Sequence, residues 1–299
     1  MDTWAKLTSK PGLLLADGAM GTMLFEAGLQ FGDPPDGWNV EQPERIRRVH
    51  RAYLEAGSHI VLTNTFGSNR FRLALHRLEA RVGDFNRAGA ALAQAEVKAS
   101  GRQALVAGDI GPTGSILEPV GELSFDEAVE GFAEQAAALI EGGVDLVWIE
   151  TMADLEEVRA AIEGVRRASP TIPVAATMTF DTRGFTMMGV SPEKAVAAIS
   201  GWGAVAVGGN CGNGPEEVVD VMTKMHAAAP SALLIAKANA GIPTMVDGRA
   251  VYRATPAAMA EYAGSAADAG ARIVGACCGS TPDHVRAMAD ALVGRLADG

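Results

Sequence analysis

Short apolar runs recur along this chain, each followed by a longer stretch with helical spacing. Eight such runs stand at residues 13–16, 60–63, 104–107, 146–149, 174–178, 204–207, 233–236 and 273–276. Several are apolar at every position, as strands are when a parallel sheet is buried on both faces. The intervening stretches carry helix signals. Ile46, Val49 and Tyr53 fall on one face of 44–55. Ser124 and Glu127 form a Ser-x-x-Glu capping box ahead of 128–140. Ser191-Pro192, Thr255-Pro256 and Thr281-Pro282 each set a capping oxygen before a proline at the first helical position. Eight alternating strand–helix units predict a (β/α)8 TIM barrel of class α/β, with a doubly wound open sheet as the rival topology. No linker or low-complexity segment interrupts the pattern, so 1–299 reads as a single domain.

Three stretches are longer or more irregular than ordinary connections. Residues 25–39 are rich in Gly and Pro and include Trp38. Residues 181–189 hold Thr182-Arg183-Gly184, a turn expected between short strands. Residues 240–255 read as polar and irregular. All follow strands at the end where barrel sites lie, so they are placed to cover a substrate.

Composition narrows the function. With 36 acidic and 25 basic residues the formal charge is −11, which gives nothing to counterion release and argues against nucleic acid. Residues 1–10 lack an apolar signal core, and no run reaches membrane-spanning length. The three cysteines cannot all pair, which points to a reducing, cytoplasmic setting.

The candidate chemistry lies just past the strands. That set is Asp17, Thr63 to Phe66 (including Thr65), Asp109, Glu150, Thr179, Asn210 with Cys211, Lys237 with Asn239, and Cys277 with Cys278. Each cysteine closes an apolar run inside a glycine-rich turn. Neighbours within a strand face opposite ways, so Cys277 and Cys278 can converge only where the strand has ended and the backbone bends. Three thiolates sharing one Zn²⁺, with the fourth position open, would be a catalytic arrangement. His284 is the local candidate for a fourth ligand, with a solvated histidine as the plainer reading. Asp17 and Glu150 suit an ammonium group, although Asp17-Gly18 also suits an ordinary turn. Alternation puts Trp148 one layer below Glu150, inside the barrel. Lys237 could be a Schiff-base amine of a barrel lyase or aldolase, or a salt-bridge residue.

Asp17-Gly18-Ala19-Met20-Gly21-Thr22, Thr63-Asn64-Thr65-Phe66-Gly67, Trp148-Ile149-Glu150-Thr151, Gly209-Asn210-Cys211-Gly212, Asn239-Ala240-Gly241 and Gly275-Ala276-Cys277-Cys278-Gly279 together resemble the homocysteine S-methyltransferase family. The similarity runs over about 11–292. It implies a zinc-dependent barrel with Cys211, Cys277 and Cys278 as metal thiolates. It also implies Asp17 and Glu150 at the amino group of homocysteine, and Gly18 and Ala19 at backbone contacts. The methyl donor would be a small onium compound of the glycine betaine, dimethylsulfoniopropionate or S-methylmethionine type, and the product methionine. A cationic donor calls for aromatic contacts, for which Trp38 and Phe66 are the candidates. Trp38 could instead pack as a lid on the barrel rim. The tyrosines that betaine enzymes carry are replaced by Gly67 and Thr151. No folate- or cobalamin-binding module is recognisable, and no oligomeric state is implied. A non-catalytic zinc- or homocysteine-binding protein is the alternative outside enzymes.

Overall fold

The computed structural model describes residues 3–246 and 249–297, without the side chains of 249 and 250. Its parallel strands are β1 (Leu14–Leu15), β2 (Ile60–Leu62), β3 (Leu105–Ile110), β4 (Leu146–Met152), β5 (Val174–Met178), β6 (Ala206–Cys211), β7 (Leu234–Ala238) and, after a separate hairpin of β8 (Thr244–Val246) and β9 (Arg249–Val251), β10 (Ala271–Ala276). The sheet order is β1-β10-β7-β6-β5-β4-β3-β2. A parallel bridge from Ala16 to Ile60 joins the two ends. The result is a nearly closed (β/α)8 barrel, as the alternation predicts. All eight apolar runs become its strands.

Helices wrap the outside, among them Pro43–Glu55, Phe125–Glu141 and Leu155–Ala168. The capping box forms as read: the Glu127 N–H donates to Ser124 Oγ, and the Ser124 N–H donates to Glu127 Oε2. Side chains alternate along the regular parts of the strands. In β4, Leu146 and Trp148 join the interior cluster, whereas Val147 and Ile149 face the helices. Trp148 is fully buried, a core residue beneath Glu150. The short helix Thr3–Thr8 brings Trp4 and Leu7 to the same interior cluster. With one end of the barrel packed by apolar side chains, polar groups gather at the strand C-termini.

The long connections differ from their sequence reading in detail. Stretch 240–255 is not wholly irregular: it holds the antiparallel β8–β9 hairpin, whose residues 247–248 lie outside the described set. The turn at Thr182 carries one bridge to Phe185 in place of two strands. Stretch 25–39 folds into a 3-10 turn at Pro35–Gly37 and the start of a one-turn helix, Trp38–Glu41.

Candidate active site

Strand β6 ends at Cys211 in a left-handed conformation, φ 61°. This backbone is uncommon for a residue with a side chain, and it turns the thiol out of the alternation of β6. Two strands along, beyond β7, β10 passes into a bend held by two bonds: Cys277 N–H donates to Ala238 O at 2.7 Å, and Ala240 N–H donates to Cys278 O at 2.9 Å. Gly279 completes the bend at φ 79°, and a Cβ there would fall 2.1 Å from the ring of Tyr252. The consequence is convergence. Cys211 Sγ lies 3.1 Å from Cys277 Sγ and 3.8 Å from Cys278 Sγ. All three sulfurs lie within 4.8 Å of one another.

That spacing suits a metal. Sulfurs at about 2.3 Å from a tetrahedral ion sit roughly 3.8 Å apart. The proton chemistry agrees: hydrogen bonds from Cys211 and then Cys277 pull the Cys278 thiol down to about 3. The same contacts, to Cys277 and then Cys278, hold the Cys211 thiol well above its ordinary value. One thiolate thus forms readily, and further ionisation calls for a cation. His284 is committed elsewhere. Its Nδ1 bonds Thr281 at 2.9 Å, and its Nε2 meets Ala254 O at 2.9 Å.

Beside the sulfurs lies a buried charge cluster. Lys237 Nζ is 3.3 Å from Asp17 Oδ1 and 3.7 Å from Glu150 Oε2. Burial by itself would push the Lys237 amine down, but the carboxylates of Glu150 and Asp17 outweigh it and hold the amine protonated. A protonated amine is no nucleophile, so the salt-bridge reading of Lys237 is the one its surroundings favour. Burial raises the Glu150 carboxyl to about 7, against the pull of Lys237. Burial also raises Asp17, which Lys237 and the Leu62 N–H partly offset. Asp109 is pushed well above the carboxylate range by burial and then by the Glu150 charge.

Asp17, Glu150, Lys237 and the three cysteines line one cavity of about 1050 Å³, together with Gly18, Ala19, Thr65 and Phe66. Gly18 is packed so closely that a Cβ would stand 2.5 Å from Ser280 Oγ. Ala19 has both backbone groups engaged within the protein: its N–H donates to Ser280 Oγ and its carbonyl accepts from Tyr53. The Thr65 hydroxyl donates to Asp109 O at 2.8 Å, which turns it toward the barrel wall. Trp38 does not reach the cavity. It packs against the outer core with the Arg45 guanidinium 4.9 Å over its ring. Its neighbour Asp36 lines the cavity instead. Three further aromatic residues stand there, Phe25, Phe31 and Tyr252, and burial and then the Cys278 charge raise the Tyr252 hydroxyl above its ordinary value. Nothing in their local sequence sets them apart; only the loop paths bring them to the mouth.

A family model described as homocysteine S-methyltransferase matches residues 14–292. The methionine synthases of Mycobacterium leprae and Mycobacterium tuberculosis are 34% and 33% identical over 96% and 94% of this chain. The chain spans about a quarter of their length, 25% and 24%. Among solved structures, the metallated form of the homocysteine methyltransferase MmuM from Escherichia coli matches with a TM-score of 0.81 and 26% identity, over 96% of this chain and 99% of that one. Its apo form matches with a TM-score of 0.77 and 25% identity, over 97% of this chain and 100% of that one. With a family model covering nearly the whole barrel and the sulfur trio in place at its mouth, this chain belongs to the homocysteine S-methyltransferase family of enzymes.

Proposed function

We propose that the protein is a zinc-dependent methyltransferase. It moves a methyl group from a small onium donor, of the glycine betaine, dimethylsulfoniopropionate or S-methylmethionine type, to the sulfur of homocysteine, giving methionine. The observation that carries this reading is the meeting of three sulfurs and an acid–lysine cluster in one cavity. Cys211, Cys277 and Cys278 would hold the ion. When bound, zinc supplies a Lewis acid that keeps a thiol deprotonated near neutral pH.

The other groups divide the remaining work. The buried carboxyls hold the ammonium end of homocysteine by charge-assisted hydrogen bonds, and Lys237 keeps them from repelling one another. The new S–C bond forms as the donor's N–C or S–C bond breaks. The bonding pair leaves with the neutral amine or sulfide, and the thiol proton passes to water. Holding both reactants in line supplies much of the acceleration. On the donor side, Phe66, Phe25, Phe31 and Tyr252 line the cavity, and aromatic rings attract a methylated cation. Free thiols this close together fit a reducing compartment, the cytoplasm.

A methyl-transfer assay with homocysteine and a panel of glycine betaine, dimethylsulfoniopropionate, S-methylmethionine and S-adenosylmethionine tests the reading. Methionine formed with one of the first three donors is expected. Tight homocysteine binding without turnover on any donor would instead mark a non-catalytic binding protein.

A further inference from the structure

The seam between β1 and β10 is short, because β1 is only two residues long. Its ladder ends with Ala16 N–H donating to Val274 O at 2.8 Å and Ala276 N–H donating to Asp17 O at 3.0 Å. Beyond Asp17 no backbone–backbone bond joins the two following turns among the described residues. Yet both turns, 17–22 and 277–279, line the same cavity. Two hydroxyls carry the seam onward. Ser280 Oγ accepts the Ala19 N–H at 3.0 Å and donates to Cys277 O at 2.7 Å. Thr22 Oγ1 accepts the Gly279 N–H at 3.0 Å. Ser280 is fully buried, and it can approach only because Gly18 has no side chain in its way.

These bonds join two ends of the site. The first turn carries Asp17, and the second carries two of the three sulfurs. A ligand that grips both ends gains from the second contact only when its length matches the span between the grips. Through one oxygen, Ser280 binds an amide of the first turn and the carbonyl of a sulfur-bearing residue, so it fixes that span directly. We infer that Ser280, seconded by Thr22, is a positioning residue that holds the amino-acid end of the cavity at a set distance from the sulfur centre. It thereby favours a thiol amino acid of homocysteine's length. This rests on the homocysteine reading and adds to it: affinity for the whole ligand depends on the junction, and affinity for either end alone does not.

The test is calorimetric binding of three ligands to zinc-loaded wild type, Ser280→Ala and Thr22→Val. Homocysteine is titrated directly, and two one-ended ligands are read by its displacement. 1-Propanethiol keeps the thiol and lacks the amino-acid end; norvaline keeps the amino-acid end and has a methyl group in place of the thiol. Homocysteine affinity should fall about tenfold in Ser280→Ala, the scale of an outer-shell contact, while the one-ended ligands stay within about twofold. Thr22→Val should show the same split, and it carries the comparison alone if Ser280→Ala does not hold zinc. Unchanged homocysteine affinity would overturn the positioning role and leave the homocysteine reading standing. So would a parallel loss of all three ligands, or failure of both variants to hold zinc. A wild type that binds no homocysteine would overturn both.

Discussion

Asn210 Oδ1 accepts the backbone N–H of Thr151 at 2.9 Å, which ties the residue after Glu150 to the residue before Cys211. The same amide donates to Thr151 Oγ1 at 2.8 Å, and its oxygen also accepts from the Thr177 hydroxyl at 2.7 Å. Thr151 and Cys211 both have left-handed backbones, φ 63° and 61°. One side chain thus braces the two bends that aim the acid and the thiol. Asn210→Ala would leave the buried Thr177 hydroxyl and the Thr151 N–H without partners. A stability loss of about 2–3 kcal/mol by urea unfolding is expected, with roughly tenfold weaker metal binding by competition titration.

Among the described residues, Lys237 is the one buried cation beside Asp17, Glu150 and Asp109. Lys237→Met keeps the volume and removes the charge. Stranding the acids should lower stability by roughly 3–5 kcal/mol at pH 8. The loss should shrink toward pH 5, where the carboxyls can protonate. Unfolding curves at the two pH values check this, and a loss independent of pH would point to packing alone.

Glu150 provides a pH signature. Its folded value, about 7, lies above the ordinary 4.5. Between those values the folded state binds the extra proton, so this group favours folding at low pH and loses that contribution as pH rises through about 7. Glu150→Gln deletes this titration. The stability of the variant relative to wild type should therefore climb from pH 5 to pH 8, by up to roughly 3 kcal/mol. Homocysteine binding should weaken in the same variant with zinc retained.

Phe66 and Trp38 should separate cleanly. Phe66 lines the cavity, and Trp38 packs outside it beneath Arg45. Phe66→Ala is expected to raise the donor KM about five- to thirtyfold, the scale of one cation–π contact. Trp38→Ala should leave the donor KM nearly unchanged and lower the melting temperature.

Much of this was legible in the residues because it depends on local rules. The apolar runs mark the strands, alternation places Trp148 in the core, and the glycines around the cysteines announce bends. Long-range pairings were less legible. Lys237 meets Asp17 across 220 positions, and only barrel closure decides which carboxylate oxygens it covers. Asp109 could be read as a strand-end residue, but the lack of a partner at its Oδ1 is a property of the packed floor. Trp38 opens a one-turn helix that packs on the outer core, whereas Asp36, in the 3-10 turn before it, lines the cavity; neither placement can be read from the loop's composition. The β8–β9 hairpin is not legible because its strands are only three residues long and, at Thr244–Val246, exposed, so no buried face sets a period. Tyr252 beside Cys278 could not be placed without it.

Metal analysis of the purified protein beside Cys277→Ser tests the three-sulfur centre most directly. Wild type is expected to carry about one zinc per chain in a sulfur-rich first shell by X-ray absorption, and Cys277→Ser to lose zinc and methyl transfer together. Undiminished methyl transfer from a chelator-stripped, zinc-free sample would contradict it.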